Sequence, residues 1–238
     1  GSALLNAWLL SKKYSLTVVD PRNIKNLKPS VNKFKKVNDI KKFVKFDFII
    51  FAMRPADLVS AIDSLKEFNF SKRTVIISIV AGKKIKNFEN KLINIKQISR
   101  VMPNMPAMIG EGLNCIVNNR YVSKKNRKQI DQLFQYTGKT IFFKTENQLD
   151  MATAVSGSGP GYIFNLIDAM EKAAIKLGFE KGVANKLVIQ TFSGSINMLI
   201  KNKLISEELV KKVATKGGTT EAGLKIMKQN KIHDTFFR

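Results

Sequence analysis

Cysteine is nearly absent from this chain: Cys115 is the only one in 238 residues, which excludes an internal disulfide and a cysteine-based metal cluster. Histidine is as scarce, and His233, close to the last residue, reads as a solvated side chain rather than a catalyst. No metal site is expected. No apolar run approaches the roughly 20 residues that span a bilayer, and the first residues lack the charged start and apolar core of a signal peptide. The expected setting is therefore reducing and cytoplasmic, with no membrane partner. Linkers rich in Pro, Gly or Ser, low-complexity tracts and internal repeats are missing as well. Acidic residues are few: Asp and Glu number 18 against 41 Lys and Arg, a formal charge of +23. Such an excess can serve nucleic acid, an acidic membrane surface or an anionic ligand. Here, however, the basic residues are spread through every segment and travel with abundant Ile and Asn, as in a compositional bias. The densest run, Lys124-Lys125-Asn126-Arg127-Lys128, reads as the solvated face of a short helix, so no nucleic-acid partner is expected.

What is present is the ordinary balance of a globular protein, 44% apolar and 25% charged, over a length that accommodates two modest domains. Residues 2–10 and 56–68 read as helices, and 16–20, 47–53, 74–80 and 97–102 as strands, with a further strand-like run at 113–117 that buries Cys115. Continuous apolar strands separated by helices point to an α/β domain over residues 1–150, a doubly wound (Rossmann-type) parallel sheet covered on both faces. Beyond about residue 145 the strands stop. Segments 161–177, 181–200, 206–214 and 220–227 all read as helices, giving an all-helical domain over 151–238. In the first of them Ile163, Leu166, Ile167, Met170, Ala174 and Leu177 share a face, yet apolar residues occupy other faces too. That pattern belongs to a bundle interior or a subunit interface.

A doubly wound fold ordinarily opens with a strand feeding a glycine turn, whereas this sequence opens with a helix. Gly1 reads as the last glycine of a G-x-G-x-x-G turn, and Asp20 stands at the distance of the ribose-binding carboxylate. Ala52-Met53-Arg54-Pro55 closes a buried strand that the proline keeps from continuing, and Ala81-Gly82 does so for the next strand. Such carboxyl ends are where open α/β sheets bind ligands. Two further motifs, Ser156-Gly157-Ser158-Gly159-Pro160 and Gly217-Gly218-Thr219-Thr220, read as loops that open helices with bare backbone N–H groups, suited to a carboxylate or phosphate. Each also has a purely structural reading, an N-cap for the Thr pair and a tight domain-joining turn for the Ser-Gly segment.

Together Gly1-Ser2-Ala3-Leu4, Ala52-Met53-Arg54-Pro55, Ser78-Ile79-Val80-Ala81-Gly82, Met102-Pro103-Asn104 and residues 152–164 and 216–224 resemble one family, pyrroline-5-carboxylate reductase. The resemblance runs over essentially the whole chain, without the first strand and glycine turn and with the last helix incomplete. It implies a Rossmann domain that binds NADPH or NADH and a helical domain that forms an interlocked homodimer, often assembled into a larger ring. The implied reaction, the last step of proline biosynthesis, transfers a hydride to the C=N carbon of a cyclic imine and gives L-proline. Such a reduction needs a placed hydride donor, a carboxylate pocket and a hydrogen-bonding group near the ring nitrogen, and no strong general acid. On the resemblance, the N–H groups of Gly217, Gly218 and Thr219, with Thr215 beside them, hold the substrate carboxylate. The Thr220 hydroxyl is the catalytic group at the ring nitrogen. Glu146 either faces the same pocket or caps a helix at the surface, and Ser156 belongs to the substrate side. On the cofactor side stand Gly1, Ala52, Met53, Arg54, Pro55, Ala81, Gly82 and Asn104, with Asn38 near the adenosine or simply solvated. Asp20 suits the free ribose of NADH, while Arg22 and Asn23 suit the phosphate of NADPH. The sequence departs from the family pattern at Lys216 for proline, Arg54 for lysine and Gly161 for alanine. The competing readings are another two-domain imine or hydroxy-acid dehydrogenase and a basic module that binds nucleic acid.

Overall fold

A computed structural model describes residues 1–22, 27–40, 45–66, 68, 70–202 and 205–236, so Asn23 lies outside the described residues. The chain divides into two units, Gly1–Tyr162 and Ile163–Arg238.

The first unit opens with α1 (Ser2–Ser11), which ends at Lys12 in the left-handed region, φ 52°. Two short strands follow, β1 (Leu16–Val19) and β2 (Val31–Phe34), paired in parallel from Leu16 opposite Val31 to Val19 opposite Phe34. They form a two-stranded sheet of their own. Then come β3 (Phe48–Phe51), α2 (Leu58–Asp63), β4 (Val75–Ser78), α3 (Lys86–Glu89), β5 (Gln97–Met102), β6 (Gly112–Asn118), α4 (Lys124–Phe134), β7 (Gly138–Phe143) and α5 (Glu146–Ala152). Strands β3 to β7 lie side by side in chain order, and every pair is parallel except β5–β6. The sheet is therefore mixed. A parallel crossover needs a dozen or more residues, and only the 3₁₀ turn Met105–Ile109 separates β5 from β6.

Burial on both faces explains why the apolar runs were continuous. In β4, Ile76 packs with Phe51, Leu58, Ile62, Phe88, Ile98 and Leu149 on one side of the sheet. Its neighbours Val75 and Ile77 pack with Leu4, Trp8, Val101, Ile116, Ile130 and Phe134 on the other. The Trp8 indole N–H donates to the Leu133 carbonyl at 2.8 Å, satisfying the one polar atom of that buried ring. Cys115 is buried, as expected. The helix expected over 56–68 is shorter: Pro55–Asp57 is a 3₁₀ turn, α2 ends at Asp63, and i→i+3 bonds from Leu65 to Ile62 and Phe68 to Leu65 carry the apolar rhythm onward.

The second unit is helical. α6 (Gly159–Lys176) runs into it and ends at Gly178, whose φ of +100° suits glycine alone, with the Phe179 N–H closing the turn on the Ala174 carbonyl at 3.3 Å. α7 (Lys181–Asn202), α8 (Ser206–Val213), α9 (Thr219–Gln229) and α10 (Ile232–Phe236) complete it. Among its described residues only Ala184 and Val188 are buried apolar side chains, while Phe164, Met170, Leu187, Ile189, Ile196 and Met198 are each more than two-fifths exposed. Apolar surface on this scale marks an interaction face. Among the described residues no helix is long and apolar enough to cross a membrane.

Candidate active site

The carboxyl ends of β3 and β4 gather several of the expected residues. A Cβ placed on Gly1 would lie 3.4 Å from Ala52 Cβ and 3.5 Å from the Ala52 carbonyl oxygen, so the first turn of α1 meets the end of β3 at close range. Met53 packs against the core, and Pro55 starts the 3₁₀ turn that diverts the chain. After β4, Ala81 and Gly82 form a turn closed by the Lys83 N–H on the Val80 carbonyl at 3.4 Å, with Gly82 at φ +68°. A Cβ on Gly82 would touch nothing, so its requirement is conformational.

Arg22 and Arg54, 32 positions apart in sequence, converge on one carboxylate: Asp57 Oδ2 lies 3.3 Å from Arg22 Nη2 and 3.2 Å from Arg54 Nε. Both guanidinium side chains remain exposed. Asp20 extends the β1–β2 ladder through its N–H to Phe34, and its Oδ1 accepts the Arg22 N–H at 2.8 Å. Asn38 is exposed on the turn Val37–Asp39. The Asn104 side chain is fully engaged, with Oδ1 accepting the Leu113 N–H at 2.8 Å and Nδ2 donating to the Ser156 carbonyl at 3.1 Å.

The Ser-Gly-Ser-Gly-Pro segment is not the loop expected from its composition. Thr145 caps α5 through a reciprocal pair with Gln148, and α5 passes directly into a π-helical turn, Thr153–Gly157, before α6 begins at Gly159. The Ser158 N–H bonds the Thr153 carbonyl at 3.2 Å, so the backbone donors are spent within the helical path rather than left bare. Gly157 lets the wider turn close: a Cβ there would sit 3.1 Å from Thr153 Cγ2. The Ser156 hydroxyl donates to the Ala152 carbonyl at 2.9 Å and lies 3.5 Å from Cys115 Sγ.

Glu146 is anchored. Its Oε1 accepts the Ile85 N–H at 3.0 Å and a guanidinium N–H of Arg100 at 3.2 Å. The other terminal nitrogen of Arg100 donates to Asp150 Oδ1 at 2.7 Å. Arg100, Asp150 and Asp57 were not anticipated from the sequence. The available signal was Arg100 itself, a lone charge in the otherwise strand-like run Gln97–Met102.

Around 215–221 the geometry redistributes the donors. Gly217 has φ +77°, and its N–H is taken by Glu221 Oε2 at 2.7 Å. The Gly218 N–H bonds the Thr215 carbonyl at 3.0 Å, and a Cβ on Gly218 would fall 2.8 Å from Thr215 Oγ1. Gly218, not a threonine, is the N-cap of α9, and no side chain caps this helix. Thr219 and Thr220 thus sit inside its first turn, where N–H groups lack intrahelical partners. Thr219 is exposed and Thr220 half-buried.

Comparison with known proteins gives a consistent result. Residues 146–238 match the family model for pyrroline-5-carboxylate reductase dimerisation. Pyrroline-5-carboxylate reductase 2 of Bacillus subtilis is 34% identical over 192 residues, covering 81% of this chain and 68% of that one. The Haemophilus influenzae pyrroline-5-carboxylate reductase is 32% identical over 199 residues, covering 83% and 73%. Among solved structures, the Plasmodium falciparum pyrroline carboxylate reductase with NADP bound superposes with a TM-score of 0.88 at 27% identity, covering 100% of this chain and 88% of that one.

Proposed function

The chain belongs to the pyrroline-5-carboxylate reductase family, and we propose that it reduces 1-pyrroline-5-carboxylate to L-proline with NADPH or NADH. The observation that carries this reading is the similarity over both units: the family model matches residues 146–238, and the superposition on the Plasmodium falciparum structure covers the whole chain. When bound, the nicotinamide supplies the hydride. Residues 1–150 serve the dinucleotide: Gly1, Ala52, Met53, Pro55, Ala81, Gly82 and Asn104 border its path, and Asn38 and Asp20 lie toward the adenosine. Residues 151–238 serve the substrate and a second copy of the chain, and such dimers build a larger ring. The setting is the cytoplasm.

Within the turn, the first N–H groups of α9 at Thr219 and Thr220, with Gly217 and Gly218 shaping the backbone and Thr215 packed beneath Gly218, receive the substrate carboxylate. The Thr220 hydroxyl bonds the ring nitrogen. Glu146 and Ser156 hold the substrate side in place through their own partners. The protein should oxidise NADPH only when pyrroline-5-carboxylate is added, and should do so at salt concentrations that abolish nonspecific nucleic-acid binding. Oxidation without substrate dependence would remove this reading.

Two side-chain arrangements give narrower tests. Arg22 and Arg54, held together by Asp57, favour the extra phosphate of NADPH over the free ribose of NADH. Arg22→Ala or Arg54→Ala should weaken NADPH binding about 10-fold, the loss of a charge-assisted contact, and leave NADH affinity unchanged in a fluorescence titration. Equal weakening of both cofactors would contradict this assignment. Glu221 holds its carboxylate on the Gly217 N–H, near in the chain to the N–H groups proposed for the carboxylate of the substrate. Glu221→Ala should therefore lower KM for pyrroline-5-carboxylate about 3-fold, the scale of one exposed hydrogen bond; an unchanged KM would show that the two carboxylates do not compete.

A further inference from the structure

We propose that Arg100 is a positioning residue of the reaction, holding the turn of Ala81 and Gly82 and the helical segment formed by α5 and its π-helical extension in one fixed arrangement; the inference rests on the imine-reductase reading above. Arg100 lies in β5, the middle strand of the five-stranded sheet, and is the largest fully buried side chain among the described residues, 2% exposed. One guanidinium nitrogen reaches Glu146 at 3.2 Å and another reaches Asp150 at 2.7 Å, gripping α5 at two points one turn apart. The same oxygen of Glu146 accepts the Ile85 N–H at 3.0 Å, just beyond Gly82. Past the end of β5, Asn104 grips the same segment again through the Ser156 carbonyl at 3.1 Å. Strand β5 and the residues just after it therefore fix α5 and its π-helical extension from both ends, and Glu146 ties them to the cofactor-side turn.

Stability alone gives a poor account of this guanidinium. Its Nε has no hydrogen-bond partner among the described residues although it is buried. Replacing buried ion pairs by neutral groups of similar volume is often harmless to stability or favourable. What Arg100 supplies that an apolar side chain cannot is direction, a planar fork whose donors leave at fixed angles. Hydride transfer rewards that rigidity, because the reacting atoms must meet in a narrow range of distance and angle.

The primary test is the neutral triple variant Arg100→Met/Glu146→Gln/Asp150→Asn, which removes the charge of Arg100 and of both its partners together, with Arg100→Lys as the conservative comparison. Thermal melting, NADPH affinity by fluorescence titration and single-turnover hydride transfer at saturating cofactor and pyrroline-5-carboxylate are measured for each. The triple variant should melt close to the parent, bind NADPH about 10-fold more weakly and transfer hydride about 100-fold more slowly, the cost of a small misplacement. Arg100→Lys should recover part of the rate, since it keeps the charge without the fork. A folded triple variant with parental affinity and rate would overturn the proposal, as would a rate loss matched by loss of folded protein. Should the triple variant not fold, Arg100→Lys decides: folded but slow upholds the positioning role, folded and as fast as the parent overturns it. If the parent does not oxidise NADPH with pyrroline-5-carboxylate, the imine-reductase reading fails by itself, and the NADPH titration still decides whether Arg100 orders the cofactor-side turn.

Discussion

Thr220→Ala should lower turnover about 100-fold, the typical cost of removing one hydrogen-bonding group from an atom whose charge changes in the transition state, while the affinity for NADPH should stay at the parental level. As the hydride reaches the C=N carbon, the ring nitrogen loses its positive charge and gains a lone pair, so the hydroxyl beside it is most valuable in the transition state. Loss of such an interaction lowers kcat and kcat/KM together and leaves cofactor binding alone. Folding should not confuse the result, because position 220 lies in the first turn of α9 and alanine is the better helix former. Thr220→Ser keeps the hydroxyl and should stay within about 10-fold of the parent. Turnover at the parental rate in Thr220→Ala would take Thr220 out of the mechanism.

The second large effect concerns the exposed apolar faces of the helical unit. Phe164 on α6 is 51% exposed and Ile196 on α7 46% exposed in the single chain. Burying a side chain of this size contributes about 1.5–3 kcal/mol, and a two-fold interface counts each substitution twice. Phe164→Lys or Ile196→Lys replaces that gain with a charge to be desolvated. Light scattering coupled to gel filtration should show the parent at a multiple of the 26.8 kDa chain mass and the variants at the mass of one chain, with turnover reduced at least about 10-fold. Variants that keep the parental mass, or a parent that is itself an active monomer, would show that this face is not the dimer contact.

How legible these features were depended on how local their causes are. β3, β4 and β5 could be read directly because each face of the sheet is covered and the strands carry nearly unbroken apolar runs. β2 escaped because Val31-Asn32-Lys33-Phe34 mixes polar and charged residues with few apolar ones, and β7 because Gly138 and Lys139 look like a turn rather than a strand start. The over-long helix at 56–68 arose because Leu65 and Phe68 keep apolar spacing while the backbone has already changed to i→i+3 bonding. At the site, Gly and Thr identities located the 217–220 turn but not which of its N–H groups are occupied, since Glu221 folds back onto Gly217 only in three dimensions. The Ser-Gly-Ser-Gly-Pro segment misled by composition: residues that usually break helices here permit a π turn inside one. Arg100 could not be assigned at all, because its partners lie 46 and 50 positions further along the chain.

The most direct test of the central assignment follows the hydride itself. Purified protein is supplied with pyrroline-5-carboxylate and NADPH deuterated at the transferable position, and the proline formed is examined by mass spectrometry and NMR. Reduction of the imine by this chain predicts L-proline carrying one deuterium on the ring carbon next to nitrogen that was the C=N carbon. Cofactor oxidation without labelled proline, or no proline at all, would contradict it.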